Sequence, residues 1–288
     1  MAEATAPKRK RRFWIILLVL CLLLLIAAVT VYLIRNPWWV EELDPTDYHR
    51  QTTAPQTEPP TSEVSTVEPS TLETASDRTD TVTTEPLFPD NPVDFASLAE
   101  VNPDIYAWIY IPMGDKTIDL PVLQSSPDMD DNYYLHHSVN KEYLFSGSIY
   151  TQRQNAKDFS DRVTVIYGHN MKNGTKFSNL VYFTKKQVFD EYDVFYIYTP
   201  GHILTYKIAA AIEFDKRHIL NNFDFSQDKV YEDWIQNYIL HPKVMVRAVR
   251  SGVEVTTDDK LVILSTCLVH NVSRYLIQGV LISDEPTN

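Results

Sequence analysis

The sequence predicts a mainly β protein: an eight-stranded, closed or nearly closed barrel with a few helices, preceded by a single transmembrane helix. Three observations carry this prediction. An uncharged apolar run fills residues 13–34, a stretch rich in threonine and proline follows it, and short aromatic and β-branched runs separated by turn formers occupy the rest. Such runs are typical of strands, and a domain of about 195 residues is within the size that a single β-barrel reaches.

The apolar run is long enough to cross a membrane. A helix rises about 1.5 Å per residue and the hydrocarbon core is about 30 Å thick, so the 22 residues from Phe13 to Ile34 can span it. The basic cluster KRKRR at residues 8–12 comes immediately before it, and positive charge stays on the cytoplasmic side. We therefore expect a cytoplasmic tail over residues 1–12 and everything after Arg35 outside the cell. A cleaved signal peptide is the alternative, but its apolar region would be shorter and would end at a small-residue site.

Residues 35–92 form the predicted spacer between the anchor and the folded domain. Residues 51–90 contain eleven threonines, six prolines and four serines, with no glycine. A segment of that composition buries too little apolar surface to offset the entropy of ordering it. We expect an extended, disordered stalk, and a folded domain over residues 93–288.

Charge and composition exclude several classes of protein. The net charge of −12 argues against a nucleic-acid partner. Two cysteines cannot make a disulfide-stapled scaffold, and no CxxC or HExxH pattern indicates a zinc site. The neighbours His136 and His137 are not a metal pair if they lie on a strand, because adjacent strand residues face opposite sides. We therefore expect no cofactor and no metal.

The folded part begins with a short helix. Asp94 predicts its N-cap, and the helix ends before Pro103. Strand-like runs then follow at residues 105–111, 120–124, 148–150, 162–167, 194–198, 204–214, 261–265 and 275–282. Two further helices are predicted over residues 175–190 and 228–240, because their apolar residues recur at helical spacing.

The folded domain has one cysteine, Cys267. A lone cysteine there is a buried filler, an intermolecular partner or a nucleophile, since it cannot form an internal disulfide. The strand pattern of residues 260–267 delivers the thiol at a strand end, where catalytic groups are commonly presented. A thiol nucleophile needs a nearby group that favours the thiolate or takes its proton.

His169 and Arg274 are the candidate partners of this thiol. His169 follows a second strand pattern, residues 163–167, with a glycine just before it. Arg274 opens the last strand, which could return antiparallel beside the cysteine strand, and acyl chemistry needs a group for the developing oxyanion. The simpler alternatives are that His169 is an ordinary polar loop residue and that Arg274 is a solvated residue at a strand edge.

Together these motifs resemble those of the sortases, the cysteine transpeptidases of Gram-positive cell surfaces. LSTC at residues 264–267 resembles the family signature TLxTC, which an arginine on the next strand follows. YGHNM at residues 167–171 resembles the histidine segment of the family. The stretch from about residue 94 to residue 282 is similar in order and spacing to a sortase domain, which implies an eight-stranded sortase-type β-barrel.

Within the family, the chain resembles class B. The similarity lies in residues 168–177, in the extra helix at residues 228–240 and in the N-terminal helix of the domain. Two departures stand out. Ile263 occupies the position of the leading threonine of the signature, and six residues separate Cys267 from Arg274, a short gap for the family.

The resemblance implies a reaction and a role for each candidate. Cys267 attacks the carbonyl of a threonine in a C-terminal sorting signal, and His169 protonates the leaving amine. Arg274 steadies the tetrahedral intermediate or positions the substrate backbone, and the backbone N–H of Leu268 shares the oxyanion role.

The resemblance also implies partners and substrate contacts. Ser265 and Thr266 are the candidate substrate-binding residues beside the thiol. The partners are secreted proteins that carry a sorting signal and a peptidoglycan precursor or another amine acceptor. Class B members often take an NPxTx signal rather than LPxTG. Two other functions remain open: a cysteine peptidase that transfers the acyl group to water, and a non-catalytic surface binding protein on the same fold.

Overall fold

Nine strands and five α-helices lie in the part of the chain that the computed structural model describes, residues 8–35, 42–50, 88–267 and 273–288. The helices are α1 (Lys8–Arg35), α2 (Phe95–Val101), α3 (Lys186–Glu191), α4 (Ile219–Asn222) and α5 (Asp228–Trp234). The strands are β1 (Ile105–Ile111), β2 (Ile118–Gln124), β3 (Ile149–Thr151), β4 (Val163–Tyr167), β5 (Val194–Thr199), β6 (His202–Asp215), β7 (Arg247–Val249), β8 (Leu261–Cys267) and β9 (Ser273–Pro286).

Eight of these strands close into a barrel. Their order is β5-β1-β2-β3-β4-β8-β9-β6, and β6 pairs back onto β5. The β2–β3 and β4–β8 pairs are parallel, whereas the other pairs of the ring are antiparallel. The ninth strand, β7, pairs with β6 outside the ring. The predicted eight-stranded barrel is confirmed.

The two faces of the sheet carry separate cores. Successive strand residues point to opposite faces, so Val262 and Leu264 of β8 and Ile277 of β9 lie in the cluster that fills the barrel. Ile263 and Leu276 lie in a second cluster on the outer face. Both clusters are almost fully withdrawn from water, which fixes the register of β8 against β9.

Helix α5 covers the outer face of β4, β6, β8 and β9 and continues as a π-helical turn, Ile235–Leu240. Trp234 Nε1 donates a hydrogen bond to Gln278 Oε1 at 2.8 Å. Gln278 Nε2 donates to the carbonyl of Tyr238 at 2.6 Å. The helix predicted over residues 228–240 is thus present over its whole length, with a π-helical second half.

The helix predicted over residues 175–190 differs from the structure. A 3-10 helix, Ser178–Thr184, is followed by α3, and Lys185 between them is extended. Phe177, Leu180 and Phe183 all belong to the interior cluster. Their spacing of three suits a 3-10 helix, in which residues i and i+3 eclipse.

Two further expectations, the cap of α2 and the apolar run near the N-terminus, agree with the structure. The Asp94 side chain accepts the N–H of Ser97 at 3.2 Å, so Asp94 caps α2 as predicted. Within α1, the run Phe13–Ile34 is long and apolar enough to cross a membrane.

Candidate active site

The carboxyl ends of β4 and β8 meet at one edge of the sheet. The two strands are parallel neighbours, with Tyr167 opposite Ser265. The N–H of Gly168 donates to the carbonyl of Ser265 at 3.1 Å. His169 follows Gly168, and Cys267 is the last residue of β8. Because neighbouring parallel strands end at the same edge, the register brings His169 and Cys267 to the same part of the molecule.

Strand β9 begins at this edge. Its antiparallel register places Arg274 opposite Cys267 and Tyr275 opposite Thr266. The positive charge of Arg274 helps to lower the pKa of the His169 imidazole. The fold therefore brings together the three positions that the sequence singled out. We call the ends of β4 and β8 and the start of β9 the active edge.

Packing requires a glycine just before His169. A Cβ atom on Gly168 would lie 2.5 Å from Ile149 Cδ1 and 2.7 Å from the ring of Phe177. Both separations are far shorter than a van der Waals contact between carbon atoms. Any side chain at this position would displace the loop in which His169 lies.

The half-buried imidazole of His169 is held by a hydrogen bond and two aromatic contacts. Its Nε2 atom lies 2.9 Å from the carbonyl oxygen of Leu135. A carbonyl only accepts, so Nε2 carries a proton and donates it, and Nδ1 is the basic nitrogen of the neutral ring. The rings of His136 and Phe145 stack on His169 with centroid distances of 5.5 and 6.0 Å.

A close chain crossing positions the carbonyl that His169 uses. Leu135 ends the 3-10 helix Tyr133–Leu135. Gly147 has a φ of +56° and approaches so closely that a Cβ atom there would lie 2.3 Å from the Leu135 oxygen. Glycine adopts this left-handed conformation at no steric cost, so Gly147 fits both the conformation and the crossing.

Burial lowers the pKa of His169 below its ordinary value. The charges of His136, Arg274 and Lys176 lower it further, whereas the hydrogen bond to Leu135 acts in the opposite direction. The neutral imidazole therefore predominates at neutral pH, and the imidazolium is the minor form.

On the outer face, two polar groups beside the active edge are buried without a hydrogen-bond partner among the described residues. They are the hydroxyl of Tyr167 and Nε2 of His218, and their rings lie 5.9 Å apart. His218 Nδ1 accepts the N–H of Asn221 at 3.2 Å, so its Nε2 carries the proton. Buried polar groups are almost always paired, so among the described residues these two groups are exceptions.

Ser265 and Thr266, the predicted substrate contacts, lie on opposite faces of β8. Residues directly opposite in an antiparallel pair share a face. Ser265 is opposite Leu276 of the outer cluster, whereas Thr266 is opposite Tyr275 of the interior cluster. Both are buried. Leu268, the predicted oxyanion donor, lies outside the described residues.

The adjacent histidines have separate partners. His136 stacks on His169, whereas the His137 ring stacks on Tyr133 at 3.7 Å. Both follow a 3-10 helix rather than lying within a strand. Within the described part of the chain, no group of three or more histidine, cysteine or acidic side chains is placed to hold a metal ion.

Sequence reasoning did not find Phe145 and His218 at the active edge, and it set His136 aside. All three lie in loops or at a helix cap, where no periodicity predicts orientation. His218 caps α4, but histidine is not one of the residue types that mark an N-cap in a sequence, so no local signal indicated it.

Comparison with known proteins decides the family. The model of the sortase domain matches residues 109–282, more than half of the chain. This chain belongs to the sortase family. Sortase B of Listeria monocytogenes is 31% identical over 194 residues, which cover 66% of this chain and 74% of that protein. Sortase B of Staphylococcus aureus is 24% identical over 173 residues, 60% of this chain and 67% of its own length.

Solved structures agree with this assignment. The X-ray structure of Clostridium perfringens sortase B matches with a TM-score of 0.58 and 28% identity, over 66% of this chain and 100% of that one. The chain is thus a class B sortase, a cysteine transpeptidase. The matched region of this sortase runs from β1 into β9 and contains the active edge. Its N-terminal apolar helix fits a single-pass membrane anchor.

Proposed function

We propose that this sortase cleaves a C-terminal sorting signal after threonine through a thioacyl-enzyme on Cys267, and transfers the protein to an amine acceptor of the cell wall. One observation carries the proposal: β4, β8 and β9 bring His169, Cys267 and Arg274 to one edge of the sheet. A nucleophile, an acid–base group and a cation for the oxyanion are the parts that acyl transfer needs.

In the first half of the reaction, the Cys267 thiolate attacks the threonine carbonyl carbon and a C–S bond forms. The C–N bond to the next residue breaks, and the imidazolium of His169 gives its Nδ1 proton to the leaving amine. This atom is the donor because Nε2 is held by the carbonyl of Leu135. In the second half, the acceptor amine attacks the thioester carbonyl, neutral His169 takes its proton, and the thiolate leaves.

Arg274 supplies positive charge where negative charge develops on the carbonyl oxygen. Its position opposite Cys267 across β8 and β9 supports this role. The same charge helps to keep the pKa of His169 low. The thiolate–imidazolium pair is therefore a minority form at neutral pH, and the reaction draws on that form.

The substrate groove follows the outer face of the active edge. Ser265 lies on that face, and Tyr167 and His218 present a hydroxyl and an N–H without partners among the described residues. An extended peptide offers backbone carbonyls that both groups can bind. Thr266 lies on the opposite face of β8, and its role as a substrate contact beside Cys267 stays a prediction.

The anchor and its flanks support a location at the cell membrane. The basic cluster at residues 8–12 comes before the apolar run, which favours a cytoplasmic N-terminus and a catalytic domain outside. Secreted proteins that carry a sorting signal then reach the active edge from the same side as the cell-wall acceptor.

The test uses the full chain in detergent micelles with quenched fluorescent peptides that carry NPxTx or LPxTG, with and without triglycine as the amine. The matched variants are Cys267→Ala and Cys21→Ala, since Cys21 is the other cysteine of the chain. We expect cleavage after threonine and a triglycine-joined product in the wild type and in Cys21→Ala, and neither in Cys267→Ala.

Other outcomes separate the alternatives. Cysteine-dependent cleavage that gives only hydrolysed product with any amine would support a cysteine peptidase. Cleavage of neither peptide, together with a Cys267 thiol that does not react with iodoacetamide, would support a non-catalytic binding protein and contradict the proposal.

A further inference from the structure

A short segment between α1 and the folded domain contacts the barrel. Residues 42–50, here called the clamp segment, pair with the start of the folded domain. His49 forms an antiparallel bridge with Val93. The N–H of Arg50 donates to the carbonyl of Pro92 at 2.8 Å, and the N–H of Asp94 donates to the carbonyl of Tyr48 at 2.9 Å. Residues predicted as part of the stalk therefore contact the domain.

One end of the clamp segment is fixed on β1 and β2. His49 Nε2 lies 2.9 Å from Asp119 Oδ1, which also accepts Trp108 Nε1 at 2.5 Å. The His49 ring meets the buried Trp108 ring edge-on at 5.4 Å. Leu43 and Tyr48 pack against a further apolar cluster, the one that contains Trp108, so apolar as well as polar contacts hold the segment.

The other end of the clamp segment holds a buried cation. Glu42 Oε2 lies 2.9 Å from Lys176 Nζ, and the Lys176 side chain is only 7% exposed. A buried ammonium group is costly unless it is paired. Within the described part of the chain, Glu42 is the carboxylate paired with it.

Lys176 belongs to the loop of the active-site histidine. Asn170 and Lys176 form an antiparallel bridge, and the N–H of Phe177 donates to the carbonyl of His169 at 3.0 Å. His169 thus lies on the first leg of a hairpin and Lys176 on the last. Lys176 has a φ of +59°, a conformation that persists only where surrounding contacts hold it.

We propose that Glu42 is a positioning residue for the transpeptidase reaction: through its ion pair with Lys176, the clamp segment fixes the hairpin that carries His169. This proposal deepens the proposed function and rests on it for the role of His169. It makes the chain next to the membrane anchor a part of the active-site architecture rather than a passive tether.

The chain path fits this role. Arg50 and Pro92 are hydrogen-bonded neighbours on the barrel, so the length of chain between them adds nothing to the distance between anchor and barrel. Only seven residues, 35–41, lie between Ile34, the end of the apolar run, and Glu42, which makes eight steps along the chain. An extended chain covers at most about 3.6 Å per residue, so the hairpin contact lies within roughly 30 Å of the anchor.

The charges around His169 predict how loss of the Glu42 carboxylate would change the pKa of His169. The charged or titratable groups that face His169 are His136 from the 3-10 helix, Arg274 from β9 and Lys176 from its own hairpin. Glu42 neutralises Lys176. Without that carboxylate, the positive charge of Lys176 acts more strongly and the pKa of His169 falls further.

The test compares full-chain variants in detergent micelles. Glu42→Gln removes the carboxylate, Glu42→Asp keeps it, and Asp47→Asn is the matched control, an exposed acid in the same segment. We expect kcat to fall about tenfold in Glu42→Gln, as for a small misplacement of a catalytic group, with KM nearly unchanged. The acid limb of its kcat/KM profile moves to lower pH, Glu42→Asp recovers most of kcat, and Asp47→Asn matches the wild type.

Hydrogen exchange measured by mass spectrometry gives a readout independent of activity. We expect faster exchange in residues 169–177 of Glu42→Gln than in Asp47→Asn. Equal kcat, equal pH profiles and equal exchange in these two variants would overturn the proposal. Faster exchange in Glu42→Gln, with a wild type that cleaves neither peptide, would support the clamp segment and count against the proposed function.

Discussion

The barrel interior and the active edge are built from the same strands but satisfy different physical requirements. In the interior, Val262, Leu264 and Ile277 are fully withdrawn from water within an apolar cluster. At the active edge, Tyr167 and His218 carry buried polar atoms without a partner among the described residues. Within two or three residues of their ends, the strands change from apolar side chains in the core to polar side chains at the active edge.

This difference separates stability from activity. Apolar burial in the interior stabilises the fold, whereas each unpaired buried polar group at the active edge costs about 1–3 kcal/mol. In the proposed reaction, a bound sorting peptide would supply partners to Tyr167 and His218. Substitutions at the active edge should therefore change activity more than stability, and substitutions in the interior should do the reverse.

The largest effect is expected at His169. His169→Asn removes the acid–base group, so kcat/KM should fall about 10³-fold, within the range for a lost general acid–base. The melting temperature should change little, because the ring is only half-buried and lies outside the apolar clusters. His202→Asn is the control, since this exposed histidine begins β6 at the end remote from the active edge. A loss no larger than that of the control would contradict the role of His169.

In the interior, Ile109→Ala should show the opposite pattern. Ile109 is fully buried in β1, so its truncation should lower the free energy of unfolding by about 2–5 kcal/mol. Activity of the folded fraction should stay near that of the wild type. Urea unfolding measures the first quantity, and Ile282→Ala, at an exposed position, is the control. An Ile109→Ala protein of full stability and low activity would break the comparison.

A matched pair of tyrosines sharpens the comparison. Tyr134 and Tyr275 are both fully buried. The Tyr134 hydroxyl donates to Asp104 at 2.6 Å and accepts from Asn102 at 2.8 Å, whereas the Tyr275 hydroxyl has no partner among the described residues. Tyr134→Phe should destabilise by about 1–3 kcal/mol, and Tyr275→Phe should be neutral or stabilising. Equal destabilisation by both, measured by urea unfolding, would show that the Tyr275 hydroxyl is paired in solution.

The smallest effect concerns the pH dependence. The pKa of His169 is lowered, so the acid limb of kcat/KM should lie below the ordinary range of histidine. His136→Phe keeps a stacked ring and removes a neighbour that helps to lower this pKa. The pKa of His169 should therefore rise and the acid limb should move to higher pH. A shift to lower pH would contradict this electrostatic account.

Much of the fold follows from periodicity and turn chemistry. The alternation in β8 and the cap at Asp94 are visible in the sequence, and the eight-stranded barrel is confirmed. Strand β7 was missed because its three residues are mostly exposed and carry no apolar pattern. Over a short stretch, a spacing of three fits both an α-helix and a 3-10 helix. The sequence therefore predicts an α-helix where the structure has the 3-10 helix Ser178–Thr184.

The sequence predicts residues of the active edge only where they lie at the ends of strands. His169, Cys267 and Arg274 follow from strand ends and strand order. The Leu135 carbonyl lies 34 residues from His169 in the chain, and a loop places it, so no local pattern predicts that contact. The sequence predicts the clamp segment as part of the stalk. Its few packed residues, such as Leu43 and Tyr48, contribute little to the average composition of residues 35–92.

The thioacyl-enzyme itself gives the most direct test of this account. The full chain would be incubated with the better of the two sorting peptides, without an amine, then quenched in acid and digested for mass spectrometry. We predict that the fragment with Cys267 gains the mass of the peptide up to its threonine. Addition of triglycine should remove the adduct and release the joined product. Peptide cleavage without an adduct, or an adduct on Cys21 instead, would contradict the account.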